Sequence, residues 1–227
     1  MLMKHKLTMA LPKGKLFTPA KILLERCGFS YPELSDQSRT LIFTDERKEA
    51  AYIICRPTDI PTYVEHGAAD LGIVGKDSII EAGKNLYELV DLKFGYCRFV
   101  VAVPQDKLSP EGRFLWQPGF RIATKFPAVA REYLHKQGLQ AEIIKLHGNI
   151  ELAPRVGLAE AIVDIVSTGR TLKENNLVPL EYIGEATARL IVNRASYRLK
   201  AQRINELVTA IKEVLGEGGD EDLDSFV

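Results

Sequence analysis

The sequence has few cysteines, few histidines and no excess of either charge. Three cysteines and four histidines are spread over 227 residues, without the spacing of a zinc site or a disulfide framework. Lysines plus arginines equal aspartates plus glutamates at 30 each, so no global positive field attracts a nucleic acid or an anionic membrane. We therefore expect reduced thiols, a cytoplasmic location, and neither a nucleic-acid nor a membrane partner.

Long apolar runs are also missing. Nowhere do about 18 consecutive apolar residues occur, the length that a membrane-spanning helix needs. The apolar run near the N-terminus is broken by Thr8 and by Pro12 before a signal peptide could form. The segment 216–227 is acidic and rich in glycine, and this composition predicts disorder.

The sequence does contain a repeated alternation of short strand and helix patterns. An apolar run over 7–11 leads through a Pro-Lys-Gly turn to helical spacing, and strand, helix and strand patterns follow over 50–75. The alternation restarts at 119–138, after a long β-rich stretch from Leu89 to Pro104. Such alternation predicts parallel sheets covered by helices, and we place a domain crossing at the restart.

The strongest candidate site is the stretch VDIVSTGRT. A buried strand that ends in a small polar turn and opens a helix aims backbone N–H groups at one point, which suits a phosphate. The hydroxyls of Ser167, Thr168 and Thr171 add donors. Gly169 allows close approach, and Asp164 suits the hydroxyls of a sugar. The pattern indicates a ribose 5-phosphate site; the alternative is an ordinary helix start with Ser167 or Thr168 as N-cap.

A second turn that favours anions is LPKGKL, where Lys13 and Lys15 flank a glycine before a helix. It matches neither a Walker A loop nor GxGxxG, and two solvated lysines explain it equally well. Arg39 and Arg56 lie at predicted strand ends, where an arginine either points into a cleft or forms a surface ion pair.

Four aromatic residues are expected to have a structural role. They sit at core spacing and are expected to pack in the core instead of forming a base-stacking platform: Tyr52, Tyr63, Tyr96 and Phe99.

Several stretches together resemble one family, ATP phosphoribosyltransferase. They are LPKGKL, RPTDIPTYVEHGAADLGIVGKD, DLKFGYCRFVVAVP, RIATKFP and ELAPRVGLAEAIVDIVSTGRTLKENNL, in that order. The last resembles the family signature, whose key positions are occupied by Glu151, Gly157, Asp164, Thr168, Gly169 and Thr171.

The resemblance implies a two-domain α/β fold like the type II periplasmic binding proteins, with crossing strands and an interdomain substrate cleft. On this plan domain I comprises 1–93 and 185–227, and domain II comprises 94–184 with the phosphoribosyl pyrophosphate loop. The chain resembles the short form of the family. That form implies a homodimer within a hetero-oligomer and a regulatory subunit similar to histidyl-tRNA synthetase.

The implied reaction is attack by N1 of the adenine of ATP on C1 of phosphoribosyl pyrophosphate, with Mg²⁺ on the phosphates and no side chain assigned to the metal. The resemblance assigns phosphoribosyl pyrophosphate to Glu151, Asp164, Ser167, Thr168, Gly169, Arg170 and Thr171. It assigns the leaving pyrophosphate to Lys13, Lys15 and Arg39. It assigns the ATP side to Arg56, Asp70, Asp91 and Arg98.

The sequence departs from the family pattern at two positions, and a second functional class stays open. Lys15 stands where the family frequently has an arginine, which removes a bidentate contact, and His147 has no assigned role. The alternative class is a binding module that closes on a small anion without chemistry.

Overall fold

The computed structural model describes residues 6–29 and 31–217, and the chain forms two compact units. Unit 1 contains the described residues up to Gly95 and those from Thr187 onward, and unit 2 is Tyr96–Ala186. Both divisions fall two residues after the expected boundaries, 93/94 and 184/185. Of the segment expected to be disordered, residues 216 and 217 are helical, and 218–227 lie outside the described residues.

The elements follow one another in the alternating order that the sequence predicts. Unit 1 begins with β1 (Leu7–Pro12), α1 (Phe17–Arg26), β2 (Ile42–Asp45), β3 (Ala50–Cys55), α2 (Ile60–Glu65), β4 (Leu71–Gly75), α3 (Lys76–Ala82) and β5 (Tyr87–Asp91). Unit 2 contains β6 (Cys97–Pro104), β7 (Arg121–Thr124), α4 (Pro127–Gln137), β8 (Glu142–Lys145), α5 (Leu152–Arg155), β9 (Ala161–Val166), α6 (Arg170–Glu174) and β10 (Leu177–Ala186). Unit 1 then resumes with β11 (Ala188–Val192), α7 (Arg194–Leu199) and α8 (Ala201–Glu217).

Unit 1 is built on a six-stranded sheet in the order β2-β3-β1-β4-β11-β5. The central strand β1 runs parallel to β3 and β4, and its residues are buried throughout, as a strand covered on both faces requires. One face packs on α1 and α8 through Leu23 and Ile204. On the other, a Cβ added to Gly72 would lie 2.6 Å from Ile60 and 2.9 Å from Val64 of α2. Glycine is therefore what allows α2 to lie directly on β4.

Unit 2 is built on a five-stranded sheet in the order β10-β6-β9-β7-β8. Here β7 runs parallel to β8 and β9, whereas β6 is antiparallel to both β9 and β10. The pairing of β10 is irregular, with register shifts between Pro179 and Glu181 and between Tyr182 and Gly184. No helix in either described range is long and apolar enough to cross a membrane.

The parallel strands decide which polar residues meet. In unit 1 the ends of β1 and β3 are paired, Pro12 with Cys55, so the residues after both strands lie at one sheet edge. In unit 2, Thr124 at the end of β7 is paired with Lys145 at the end of β8 and with Val163 of β9. The residues after these strands therefore also lie at one sheet edge. Carboxyl-terminal edges of this kind are where open α/β sheets bind ligands.

Asp70 lies at the opposite edge of the unit 1 sheet, immediately before β4. Its carboxylate accepts hydrogen bonds from Thr8 N at 2.8 Å and Ser196 Oγ at 2.7 Å, and it pairs with Lys200 Nζ at 2.6 Å. The residue is only 6% exposed. Asp70 therefore fastens β1 to the C-terminal helices, and we assign it this structural role in place of the expected ATP contact.

We expect Asp70→Ala to lower the free energy of unfolding by about 2–4 kcal/mol, because Thr8 N–H and the Lys200 ammonium lose their shared acceptor. Chemical denaturation measures the loss. Asp106→Ala is the matched control, since Asp106 is an exposed aspartate, and we expect a change within about 0.5 kcal/mol. Equal stability of the two variants would contradict the structural role of Asp70.

Candidate functional site

The turn after β9 is open and rich in polar groups. Gly169 is the N-cap of α6 and has a φ of 74°, a value that favours glycine. A Cβ at this position would meet nothing within 4 Å, so the space beside the backbone is open. The side chains of Ser167, Thr168 and Thr171 are exposed. Hydrogen-bond donors and open space therefore coincide at this turn.

The alternative of an ordinary capped helix start is not what the structure has. Neither Ser167 nor Thr168 is the N-cap residue, and the one local contact, Arg170 N to Thr168 Oγ1, is long at 3.4 Å. However, α6 has only five residues, so an extended helix dipole contributes less than the sequence suggested. Any attraction for an anion would therefore come mainly from the hydroxyls and from the N–H groups of the first helical turn, one of which, Arg170 N, already has a weak acceptor in Thr168 Oγ1.

Asp164 lies on β9, partly buried, two residues before the strand ends. Burial raises the pKa of Asp164 to about 6; a hydrogen bond from Ile165 N at 2.8 Å opposes this, the charge of Glu151 adds to it, and Lys125 opposes it. Glu151, Asp164 and Lys125 are thus electrostatic neighbours. The site brings the two predicted carboxylates together and adds a cation.

Lys125 lies near Asp164, although it is not among the predicted site residues. It follows Thr124, which is paired with Val163, so Lys125 comes alongside Asp164. The fully buried Thr124 hydroxyl donates to Val163 O at 2.6 Å and accepts from Phe126 N at 2.8 Å, which fixes the turn that carries Lys125. The signal was available, because Lys125 follows a predicted strand in RIATKFP just as Ser167 follows its own.

Arg98 reaches the same edge of unit 2 from β6. Its register partners are Val166, the last residue of β9, and Glu185 of β10. The guanidinium lies 4.1 Å from the centroid of the Tyr182 ring. Its Nε is buried and has no hydrogen-bond partner among the described residues. Arg98 therefore lies beside the phosphate turn with part of its donor capacity unused.

Arg170 points elsewhere. Its Nε donates to Glu174 Oε1 at 2.8 Å, one turn along α6, and both side chains are exposed. Such surface pairs contribute little to stability. Only the backbone of Arg170 belongs to the turn in this arrangement.

The predicted basic residues of unit 1 gather at the carboxyl-terminal edge of its sheet. Lys13 and Lys15 follow β1, and Lys13 N donates to Cys55 O at 2.9 Å, directly before Arg56. Arg39 precedes β2, whose first residue pairs with Ile53 near the end of β3. All four side chains are exposed, and none makes an ion pair within 6–29 or 31–217. The edge therefore carries four exposed basic side chains, with the carboxylate of Asp36 nearby as the acceptor of Gly14 N.

Asp91, at the end of β5, is engaged by its own unit. It accepts from Thr187 Oγ1 at 2.7 Å and from Lys93 N at 3.0 Å, and it pairs with Arg189 at 3.0 Å. Burial alone would raise the pKa of Asp91, but the two hydrogen bonds and the charge of Arg189 outweigh it, so the pKa lies below its usual value. Asp91 reaches the edge as an anion whose partners are already present.

We expect Asp164→Asn to stabilise the free protein in a pH-dependent way. Below about pH 3 the carboxyl is protonated in both states, so asparagine changes little. As pH rises from about 3 to 7 the unfolded chain ionises first, and the native state is destabilised by an amount that reaches about 3 kcal/mol. The variant should therefore exceed the native sequence in free energy of unfolding by more at pH 8 than at pH 5, as measured by urea unfolding. A gain that is equal at the two pH values, or matched by Asp106→Asn, would show that burial of this charge is not the cause.

Comparison with known proteins identifies relatives over nearly the whole chain. The family model for ATP phosphoribosyltransferase matches residues 56–213. The ATP phosphoribosyltransferase of Desulfitobacterium hafniense (strain Y51) is 57% identical over 217 residues, which are 93% of this chain and 97% of that protein. A chain of the ATP phosphoribosyl transferase (HisG:HisZ) complex from Thermotoga maritima is 35% identical with a TM-score of 0.80, covering 93% of this chain and 100% of that one.

A more distant likeness concerns the fold alone. A histidine kinase sensor domain with similarity to periplasmic binding proteins is 10% identical, with a TM-score of 0.60, covering 96% of this chain and 93% of that one. This likeness confirms the predicted class of fold. With a family model over most of its length and a relative at 57% identity, the chain belongs to the ATP phosphoribosyltransferase family.

Proposed function

We propose that the chain transfers the phosphoribosyl group of phosphoribosyl pyrophosphate to N1 of the adenine ring of ATP, the first step of histidine biosynthesis. The observation that carries the proposal is the open Ser167–Thr171 turn beside the partly buried carboxylate of Asp164. A phosphate cradle next to a carboxylate suits a phosphorylated sugar, and few other ligands need both.

The turn is assigned to the 5-phosphate. Backbone N–H groups of the first turn of α6 and the hydroxyls of Ser167, Thr168 and Thr171 donate to the phosphate oxygens. Asp164 accepts hydrogen bonds from the ribose hydroxyls, and Glu151 adds a second carboxylate at the sugar. Lys125 offsets these negative charges. Asp164 is mostly ionised near pH 7 because its pKa of about 6 lies below that pH.

The basic edge of unit 1 is assigned to the leaving group. The lone pair of adenine N1 forms the new C1–N1 bond while the C1–O bond breaks and its electrons leave with pyrophosphate. Negative charge therefore accumulates on the pyrophosphate, and Lys13, Lys15 and Arg39 would stabilise it there. A single preorganised donor of this kind can change the rate by about a hundredfold or more. Adenine N1 carries a free lone pair, so no general base is required.

Arg56 and Arg98 are assigned to ATP. Both are cations without an ion pair in the part of the chain that is described. Arg56 directly follows β3, whereas Arg98 is the second residue of β6 and is paired with the last residue of β9. Asp91 is retained only as a support of that edge, since its oxygens already have partners.

Mg²⁺ belongs to the proposal as a companion of the substrate phosphates. The repulsion between Glu151 and Asp164 fits a hard cation, which takes oxygen ligands and keeps several waters. The described residues contain no group of three or more His, Cys, Asp or Glu side chains that could hold a metal. Phosphate oxygens and waters would provide most of its ligands, with Glu151 or Asp164 beside them, and the ion would neutralise phosphate charge.

The partner and the location complete the proposal. The Thermotoga maritima relative is part of a HisG:HisZ complex, and we propose a HisZ-like regulatory subunit for this chain, together with a homodimer of the chain itself. The predicted likeness of that subunit to histidyl-tRNA synthetase stays a prediction. All three cysteines are free thiols, which supports a cytoplasmic location.

Turnover distinguishes the enzyme from a binding module. The second candidate rests on the fold that the chain shares with a sensor domain. Mixed with ATP, phosphoribosyl pyrophosphate and Mg²⁺, the protein should release pyrophosphate and form phosphoribosyl-ATP, followed by its near-ultraviolet absorbance. A parallel reaction with excess chelator should stop. Tight binding of both ligands without product, even with the regulatory subunit added, would establish the binding module.

We expect Thr168→Ala to lower the affinity for phosphoribosyl pyrophosphate by about tenfold and the affinity for ATP by less than about twofold. The substitution removes one charge-assisted hydrogen bond to a single substrate. Calorimetric titration with each ligand measures the difference. Thr62→Ala, at an exposed threonine of α2, serves as the control and should leave both affinities unchanged. Equal losses for both substrates would remove the turn from the 5-phosphate site.

A further inference from the structure

Tyr182 presents an aromatic ring that the proposed function has not used. The residue is 51% exposed, although the Arg98 guanidinium lies 4.1 Å from its ring centroid. A cation over one face holds the ring in place. A half-exposed ring held from one side has the form of a stacking surface.

The backbone around Tyr182 is irregular on both sides. β10 shifts register between Pro179 and Glu181 and again between Tyr182 and Gly184. Such bulges redirect side chains and are frequent next to functional sites. They free Tyr182 from the strict alternation that would otherwise fix its direction.

One hydrogen-bond donor of Arg98 has no partner in the described residues. This donor is the buried Nε, and a buried unpaired donor is costly. The face of the guanidinium supports the Tyr182 ring, which is on the neighbouring strand, while this donor stays unused.

The distance from the phosphate turn is suitable. Arg98 is paired with Val166, directly before the turn, and with Glu185 on the other side. Neighbouring strands lie about 4.8 Å apart, so β10 is about 10 Å from β9. That separation is of the order of a ribose 5-phosphate with a base at C1, and a ring stacked on Tyr182 can face the sugar that the turn holds.

We propose that Tyr182, backed by Arg98, is the stacking platform for the adenine ring of ATP. The inference rests on the proposed function and deepens it, because it assigns the base of the acceptor to a named side chain. Stacking uses the π-face that every base has and does not need hydrogen bonds to the ring edge. It therefore leaves N1 of the adenine free to react.

The test is calorimetric titration of the full chain with ATP and with phosphoribosyl pyrophosphate. Tyr182→Ala should lower the affinity for ATP by about tenfold, the usual effect of losing a base-aromatic stack. It should lower the affinity for phosphoribosyl pyrophosphate by less than about twofold. Tyr182→Phe keeps the ring and should retain ATP affinity. Tyr63→Ala removes another exposed tyrosine and should change neither ligand.

Tyr182→Leu covers the case in which the alanine variant does not fold, because leucine keeps apolar bulk but has no ring. Unchanged ATP affinity in the alanine or leucine variant, or equal losses for both ligands, would overturn the inference. A failure of the native chain to form phosphoribosyl-ATP would instead remove the proposed function. The two failures are thus separate results.

Discussion

Parallel pairing of the central strands is the constraint on which both candidate edges depend. In unit 1, β1 lies between β3 and β4 and runs in the same direction as both. In unit 2, β7 has the same relation to β8 and β9. Parallel strands must end at a common edge, so turns that are distant in the sequence become neighbours. Lys13 thereby comes beside Cys55, the residue before Arg56, and Lys125 comes near Asp164 of β9.

The state of each charge separates structural from functional residues. Asp70 has three partners at 2.6–2.8 Å, and Asp91 is similarly engaged, so both contribute to folding. Asp164 is buried near another carboxylate, and its pKa rises to about 6. Arg98 retains an unpaired buried donor. Perturbed and unsatisfied groups of this kind concentrate where ligands bind, because the ligand completes an arrangement that is unfavourable without it.

Local patterns in the sequence were sufficient for the alternation of strands and helices, because alternation is a short-range signal, and the two-domain plan came from the family resemblance. The phosphate role of the turn after β9 stays a prediction. Local patterns were insufficient where tertiary register decides. Lys125 comes near Asp164 only through the pairing of Thr124 with Val163, and Asp70 turns away because it precedes its strand. Tyr52 and Phe99 are buried as predicted. Tyr63 and Tyr96 are partly exposed instead, which periodicity alone does not reveal.

We propose above that the turn from Ser167 to Thr171 binds the 5-phosphate and that Lys13, Lys15 and Arg39 bind the pyrophosphate. A crystal structure with phosphoribosyl pyrophosphate and Mg²⁺ bound would locate both groups. We expect 5-phosphate oxygens within hydrogen-bond distance of the Thr168 hydroxyl and of the N–H groups that open α6, with a ribose hydroxyl on Asp164. Pyrophosphate in that turn, or a 5-phosphate among Lys13, Lys15 and Arg39, would contradict the proposal.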